Sequence, residues 1–146
     1  MKISPKLHRI LLVDDSFDDN FFHRRILKKM EVAESIDVAS DGQQALDYLT
    51  CQGKFQDDSA TFPQPELIFL DINMPRMDWW TFLKEYDQLP PEQQGKRVII
   101  MLTTSLNPDD HHKAQEMPSI QFFLTKPLRP DMVERILEQF FPERIV

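Results

Sequence analysis

Short apolar runs and longer stretches of helical period take turns along this chain. The runs occupy residues 10–13, 36–39, 67–70, 98–102 and 120–124, each rich in Ile, Val, Leu or Phe and bounded by polar residues. Most are continuous rather than alternating, the pattern of strands buried on both faces of a parallel sheet. The run at 36–39, Ile-Asp-Val-Ala, is broken by a charge and predicts an edge strand. Between the runs, Phe22, Ile26, Leu27 and Met30 mark one helical stripe, and Ala45, Leu46 and Leu49 mark a second that Asp41 can cap. A third helix is predicted over residues 79–87, carrying Phe82, Leu83 and Tyr86 and stopped before Pro90 and Pro91. Asn107-Pro108 has the cap-then-proline signature of a fourth helix start. The fifth begins at Arg129-Pro130, repeats Met132, Val133, Ile136, Leu137, Phe140 and Phe141 as pairs four apart, and ends at Pro142. Alternation of strand and helix predicts an α/β fold. Residues 52–64 form a long polar loop, read as a solvated insertion in preference to a lid.

With 146 residues, one domain is expected. The expected boundaries are an N-terminal tail at 1–7, a domain at 8–142 and a C-terminal tail at 143–146, and no output domain is expected. A net charge of -7 and the lack of any Lys/Arg-rich run argue against nucleic-acid binding. Only 3 glycines are present, scattered at Gly42, Gly53 and Gly95, so neither a dinucleotide nor a P-loop fingerprint exists. A lone cysteine, Cys51, forbids an internal disulfide and any Cys-rich zinc site, and fits a cytoplasmic location. His8, His23, His111 and His112 lack the HExxH spacing of a metalloprotease. No apolar run is long enough to span a membrane.

The residues placed directly after the strands are more informative. Asp14-Asp15 come after the first, Asp71 after the third, Thr103-Thr104 after the fourth and Thr125-Lys126-Pro127 after the fifth. Parallel strands place their carboxyl ends along one rim, where open α/β sheets bind ligands. Three carboxylates gathered there repel one another unless a cation intervenes, and Mg²⁺ accepts such oxygen ligands while keeping several waters. Taken singly, these residues have plainer roles: acids after strands cap helices, Asp71 can form a turn, Thr103 can be a satisfied strand-end hydroxyl and Lys126 a solvated charge. Their joint occurrence, each type after a different strand, is what those roles leave unexplained.

The ordered motifs VDD, LDINMPRMD, LTTS and KP resemble the receiver domain of bacterial two-component response regulators. The resemblance runs over most of the chain. It implies a flavodoxin-like five-stranded parallel sheet in the order 2-1-3-4-5 with five helices, and phosphorylation of Asp71 by a histidine kinase or phosphotransfer protein. It further implies Mg²⁺ held by Asp15 directly, Asp14 largely through water, Asp71, and the backbone carbonyl of Asn73. Thr103 would be the switch hydroxyl, Lys126 the phosphate-neutralising lysine, Pro127 a cis proline and Phe123 the switch aromatic. The surface of the fourth helix, fifth strand and fifth helix would carry the signal to a downstream protein, with a homodimer left open. Such a protein would be a phosphoacceptor that assists its own phosphorylation and dephosphorylation rather than an enzyme acting on other substrates.

One departure is visible. Trp79, followed by Trp80, stands where the family usually has glycine, and a positive φ there would strain it. Two adjacent tryptophans are not expected to point inward together, so one of Trp79 and Trp80 is a candidate for a partner or dimer surface, the alternative being that both pack against neighbouring helices. The alternatives are a receiver-fold scaffold that takes no phosphate and a haloacid-dehalogenase-type phosphatase. The second wants an acid two residues after the nucleophile, where Asn73 stands. A flavin-binding relative would need a phosphate loop free of the acidic Asp14-Asp15 pair.

Overall fold

The computed structural model describes residues 2–50, 64–73, 77–90, 97–104 and 107–146. Cys51, nearly all of the 52–64 loop, Pro75 and Pro91 lie outside the described residues. The elements run β1 (Leu7–Val13), α1 (Phe17–Met30), β2 (Ala33–Ala39), α2 (Gly42–Thr50), β3 (Leu67–Leu70), α3 (Trp79–Asp87) and β4 (Val98–Thr103). They continue with α4 (Pro108–Gln115), β5 (Ile120–Thr125), α5 (Pro130–Phe140) and a short 3₁₀ turn, Pro142–Arg144. All five strands are parallel in the order β2-β1-β3-β4-β5, with β2 and β5 at the edges. Among the described residues, no helix is long and apolar enough to cross a membrane.

The central strands are buried on both faces because each face meets its own helical layer. Alternate residues of β1 divide between two apolar clusters. Ile10 and Leu12 join Leu27 of α1 and Val133, Ile136 and Leu137 of α5, whereas Leu11 and Val13 join Ala45, Leu49, Phe82, Leu83 and Ala114 of α2, α3 and α4. Caps expected from the sequence form: the Gln44 backbone N–H donates to Asp41 Oδ1 at 2.8 Å, and that of Asp109 to Asn107 Oδ1 at 3.0 Å. Gly42 is required where it stands, since a Cβ there would lie 2.9 Å from the Met77 carbonyl oxygen just before α3.

The inward stripe of α1 differs from the one the sequence predicts. Phe22 is exposed, along with Phe17 and Phe21, while Asn20, His23 and Leu27 face the sheet. The first turns of α1 lie over the polar rim of β1, where Asn20 and His23 are more useful than a phenyl ring.

The terminal residues are not free tails. Ile3 pairs with Ile145 in an antiparallel bridge, and the backbone N–H groups of Ser4 and Val146 donate to the carbonyls of Arg144 and Lys2. Arg144 then forks onto Glu66, Nη1 to Oε2 at 2.9 Å and Nη2 to Oε1 at 2.5 Å. Burial alone would raise the Glu66 carboxyl, but Arg144 and the His8 N–H outweigh it and hold the group below its ordinary value. A carboxyl depressed in the folded state contributes fully above its unfolded pKa and loses that contribution as pH falls through the folded one. Arg144→Met is therefore expected to cost about 1–2 kcal/mol in urea unfolding at pH 7. The difference should disappear as Glu66 protonates in acid.

Candidate functional site

Backbone pairing aligns the strand ends before any side chain takes part. Val13 is in register with Leu70, and the Asp71 N–H donates to the Val13 carbonyl at 3.0 Å, so Asp14 and Asp71 emerge side by side. The Asp14 N–H is held by the Ala39 carbonyl of β2 at 3.0 Å. On the far side Thr103 pairs with Thr125, and the Lys126 N–H donates to the Thr103 carbonyl at 2.9 Å. The Lys126–Pro127 peptide is cis.

These constraints gather charge at one rim. Asp14, Asp15 and Asp71 each offer a carboxylate oxygen, all lying within 4.8 Å of one another, with Asp14 and Asp71 buried and Asp15 exposed. The Lys126 ammonium reaches Asp14 Oδ2 at 2.5 Å, Asp19 Oδ2 at 2.8 Å and Asp71 Oδ2 at 3.2 Å. Burial favours neutral Lys126, but the hydrogen bonds to Asp14 and Asp19 and the charges of Asp71 and Asp14 more than offset it, so its pKa is raised and it stays an ammonium. Burial raises the Asp14 carboxyl, assisted by the charge of Asp71, while Lys126 and the Ser16 N–H pull the other way.

Asp71 Oδ1 is a buried oxygen with no hydrogen-bond partner. An anionic oxygen left so is expensive unless a cation meets it. Three carboxylates, one of them with an unsatisfied oxygen, match the hard-oxygen donor set that a divalent ion such as Mg²⁺ requires. Asn73, two residues beyond Asp71, is exposed on the same strand-end segment. Thr103 is fully buried at the end of β4. Phe123 is half-buried on β5, its ring centroid 4.0 Å from that of His111 on α4.

The two tryptophans do not point inward together, and Trp79 requires a correction. Trp79 is buried in the core as the first residue of α3, with Asp78 as N-cap, so it offers no surface to a partner. Nor is it strained: among the described residues only Glu31 is a non-glycine with positive φ. Trp80 turns outward and meets the edge of Trp79 with ring centroids 5.6 Å apart. It remains half-buried, with Lys84 Nζ at 5.3 Å and Lys113 Nζ at 5.6 Å from its ring centre, and so joins α3 to α4.

Asp19, Asn20 and His23 are the participants that sequence reasoning missed. Asn20 Nδ2 donates to the Asp14 carbonyl at 2.8 Å, and the Leu128 N–H points at His23 Nε2 at 3.4 Å. Burial and the Lys126 charge lower the His23 pKa, which suits a neutral, accepting imidazole. Asp19 sits three residues after Ser16, whose Oγ accepts its N–H at 3.2 Å. That spacing reads as ordinary first-turn capping, which concealed its second role.

Comparison with known proteins agrees with this geometry. A family model described as the response regulator receiver domain matches residues 10–138. The response regulator Rcp1 of Synechocystis sp. is 35% identical over 123 residues, covering 84% of this chain and 77% of that protein. A crystal structure of the Mn²⁺-bound form of Rcp1 superposes with a TM-score of 0.70 at 31% identity, covering 95% of this chain and 97% of the other. The phosphorylated cyanobacterial phytochrome response regulator RcpA gives a TM-score of 0.75 at 25% identity, covering 94% and 96%.

Replacing Lys126 tests the charge balance. Lys126→Met leaves Asp14 and Asp71 facing each other without their ammonium, and is expected to cost about 3 kcal/mol in chelator-treated protein at pH 7. Millimolar Mg²⁺ should narrow that loss, measured by urea unfolding with and without the ion, because a bound cation takes over the neutralisation.

Proposed function

Since the chain belongs to the response regulator receiver domain family, we propose that it is a phosphorelay receiver whose Asp71 accepts a phosphoryl group from a phosphohistidine, with Mg²⁺ as cofactor. The observation that carries this reading is the Asp71 carboxylate. It is buried, 3.2 Å from the Lys126 ammonium through one oxygen and unpartnered at the other, beside two further carboxylates.

A carboxylate oxygen of Asp71 attacks phosphorus in line while the phosphorus–nitrogen bond of the donor breaks and its electron pair stays on the imidazole. Asp14 and Asp15, with the Asn73 carbonyl, would hold the Mg²⁺, which supplies positive charge to the transferred oxygens. Lys126 neutralises a further oxygen. Thr103 moves its hydroxyl toward the new phosphoryl group, and the space it leaves lets Phe123 turn inward from its contact with the His111 ring. The signal is thus a shift between two states of the surface formed by α4, β5 and α5.

Because the chemistry resides in these residues, the protein assists its own phosphorylation and dephosphorylation. It works in the cytoplasm through protein partners: a histidine kinase or phosphotransfer protein as donor, and a downstream protein or a second copy of itself as target. RcpA, a phytochrome response regulator, makes a phytochrome-type kinase one donor to test.

Incubation with Mg²⁺ and acetyl phosphate is expected to add one phosphoryl group by intact mass, and Asp71→Asn or a chelator to prevent it. Sustained turnover of a monophosphate ester with no label retained would favour the phosphatase. Asp15→Ala should weaken Mg²⁺ binding by about tenfold or more, read by Trp fluorescence or calorimetry.

A further inference from the structure

An ammonium has three N–H donors, and Lys126 directs all of them at carboxylates: Asp14 Oδ2 at 2.5 Å, Asp19 Oδ2 at 2.8 Å and Asp71 Oδ2 at 3.2 Å. Asp71, the longest of the three contacts, is the one the phosphoacceptor reading needs most. Asp19 differs from the other two because it does not belong to the carboxylate group suited to a metal. It stands on the first turn of α1, fixed by the Ser16 cap, and its side chain is 42% exposed. A rigid helix therefore presents a second anion to the lysine from outside the pocket.

We propose that Asp19 is a positioning residue for Lys126, one that favours the metal-bound, unphosphorylated protein and opposes the phosphorylated one. The inference rests on the phosphoacceptor reading of Asp71. Two effects arise from its charge and place. By holding one N–H of Lys126, Asp19 draws the ammonium toward α1 and lessens its competition with a divalent cation for Asp14 and Asp71. Its own negative charge also attracts that cation. Once a phosphoryl group arrives, the same carboxylate competes with the new oxygens for the ammonium and adds repulsion to an anionic centre. One residue thus acts with opposite sign on the two ligands.

The sign reversal separates positioning from simple structural support. In the full-length protein, Asp19→Asn keeps the size of the side chain and removes its charge. Mg²⁺ affinity should fall roughly three- to tenfold by calorimetry, and affinity for beryllofluoride, a phosphoryl analogue, should rise roughly three- to tenfold at saturating Mg²⁺. Asp18→Asn, an exposed neighbour on the same turn, removes an equal charge and should move both by less than about twofold. Asp19→Glu should retain the wild-type direction of both preferences. Loss of affinity for both ligands, no change in either, or equal effects at Asp18 and Asp19 would overturn the proposal while leaving the phosphoacceptor reading intact. A wild-type protein that binds neither Mg²⁺ nor beryllofluoride overturns both.

Discussion

A single ammonium placed among three carboxylates holds this rim together. Asp14 and Asp71 are almost removed from water, where two like charges at short range repel strongly. Lys126 relieves the repulsion by direct hydrogen bonds, and its geometry sets what else the pocket can accept. Even so, Asp71 Oδ1 remains without a hydrogen-bond partner. A pocket that is neutralised by a lysine and still short of positive charge is suited to take up a cation and then an anion in turn.

The charges could not be held this way by loops alone. Asp14 and Asp71 are each tied by a backbone hydrogen bond to the neighbouring strand, and Lys126 is tied to Thr103 in the same manner. The sheet's two apolar layers, Leu27 with Val133 and Ile136 on one face and Leu49 with Phe82 and Leu83 on the other, make those strand ends rigid. Packing far from the rim therefore converts into precision at the rim. At the edge of the sheet, half-buried Phe123 on β5 meets the His111 ring of α4 at a tilt, with centroids 4.0 Å apart.

Exposed aromatic residues cluster on the opposite flank. Phe17, Phe21 and Phe22 stand out from α1, close in sequence to Asp15. Trp80, by contrast, is half-buried and carries the ammonium groups of Lys84 and Lys113 against its ring. Its neighbour Trp79 fills core volume beside Phe82 and Leu83. A residue that departs from the family's glycine thus serves as packing, because the helix starts there, directly after the Asp78 cap.

Element type and order were legible in the chain because continuous apolar runs, proline starts and Asx caps are local signals. Residues 67–70 and 79–87 match the observed β3 and α3 without adjustment. The meeting of Asp14, Asp15, Asp71 and Lys126 was legible too, since a parallel sheet sends every strand end to one side. Which way a helix rotates was not local. Phe22 and His23 are adjacent on α1, and only contact with Leu128 and the polar rim decided that the imidazole turns in and the phenyl ring out. Asp19 reads as a helix cap until β5 brings Lys126 to it from 107 residues away. A pairing at that separation is set by strand order and packing, which exist only once the chain has folded.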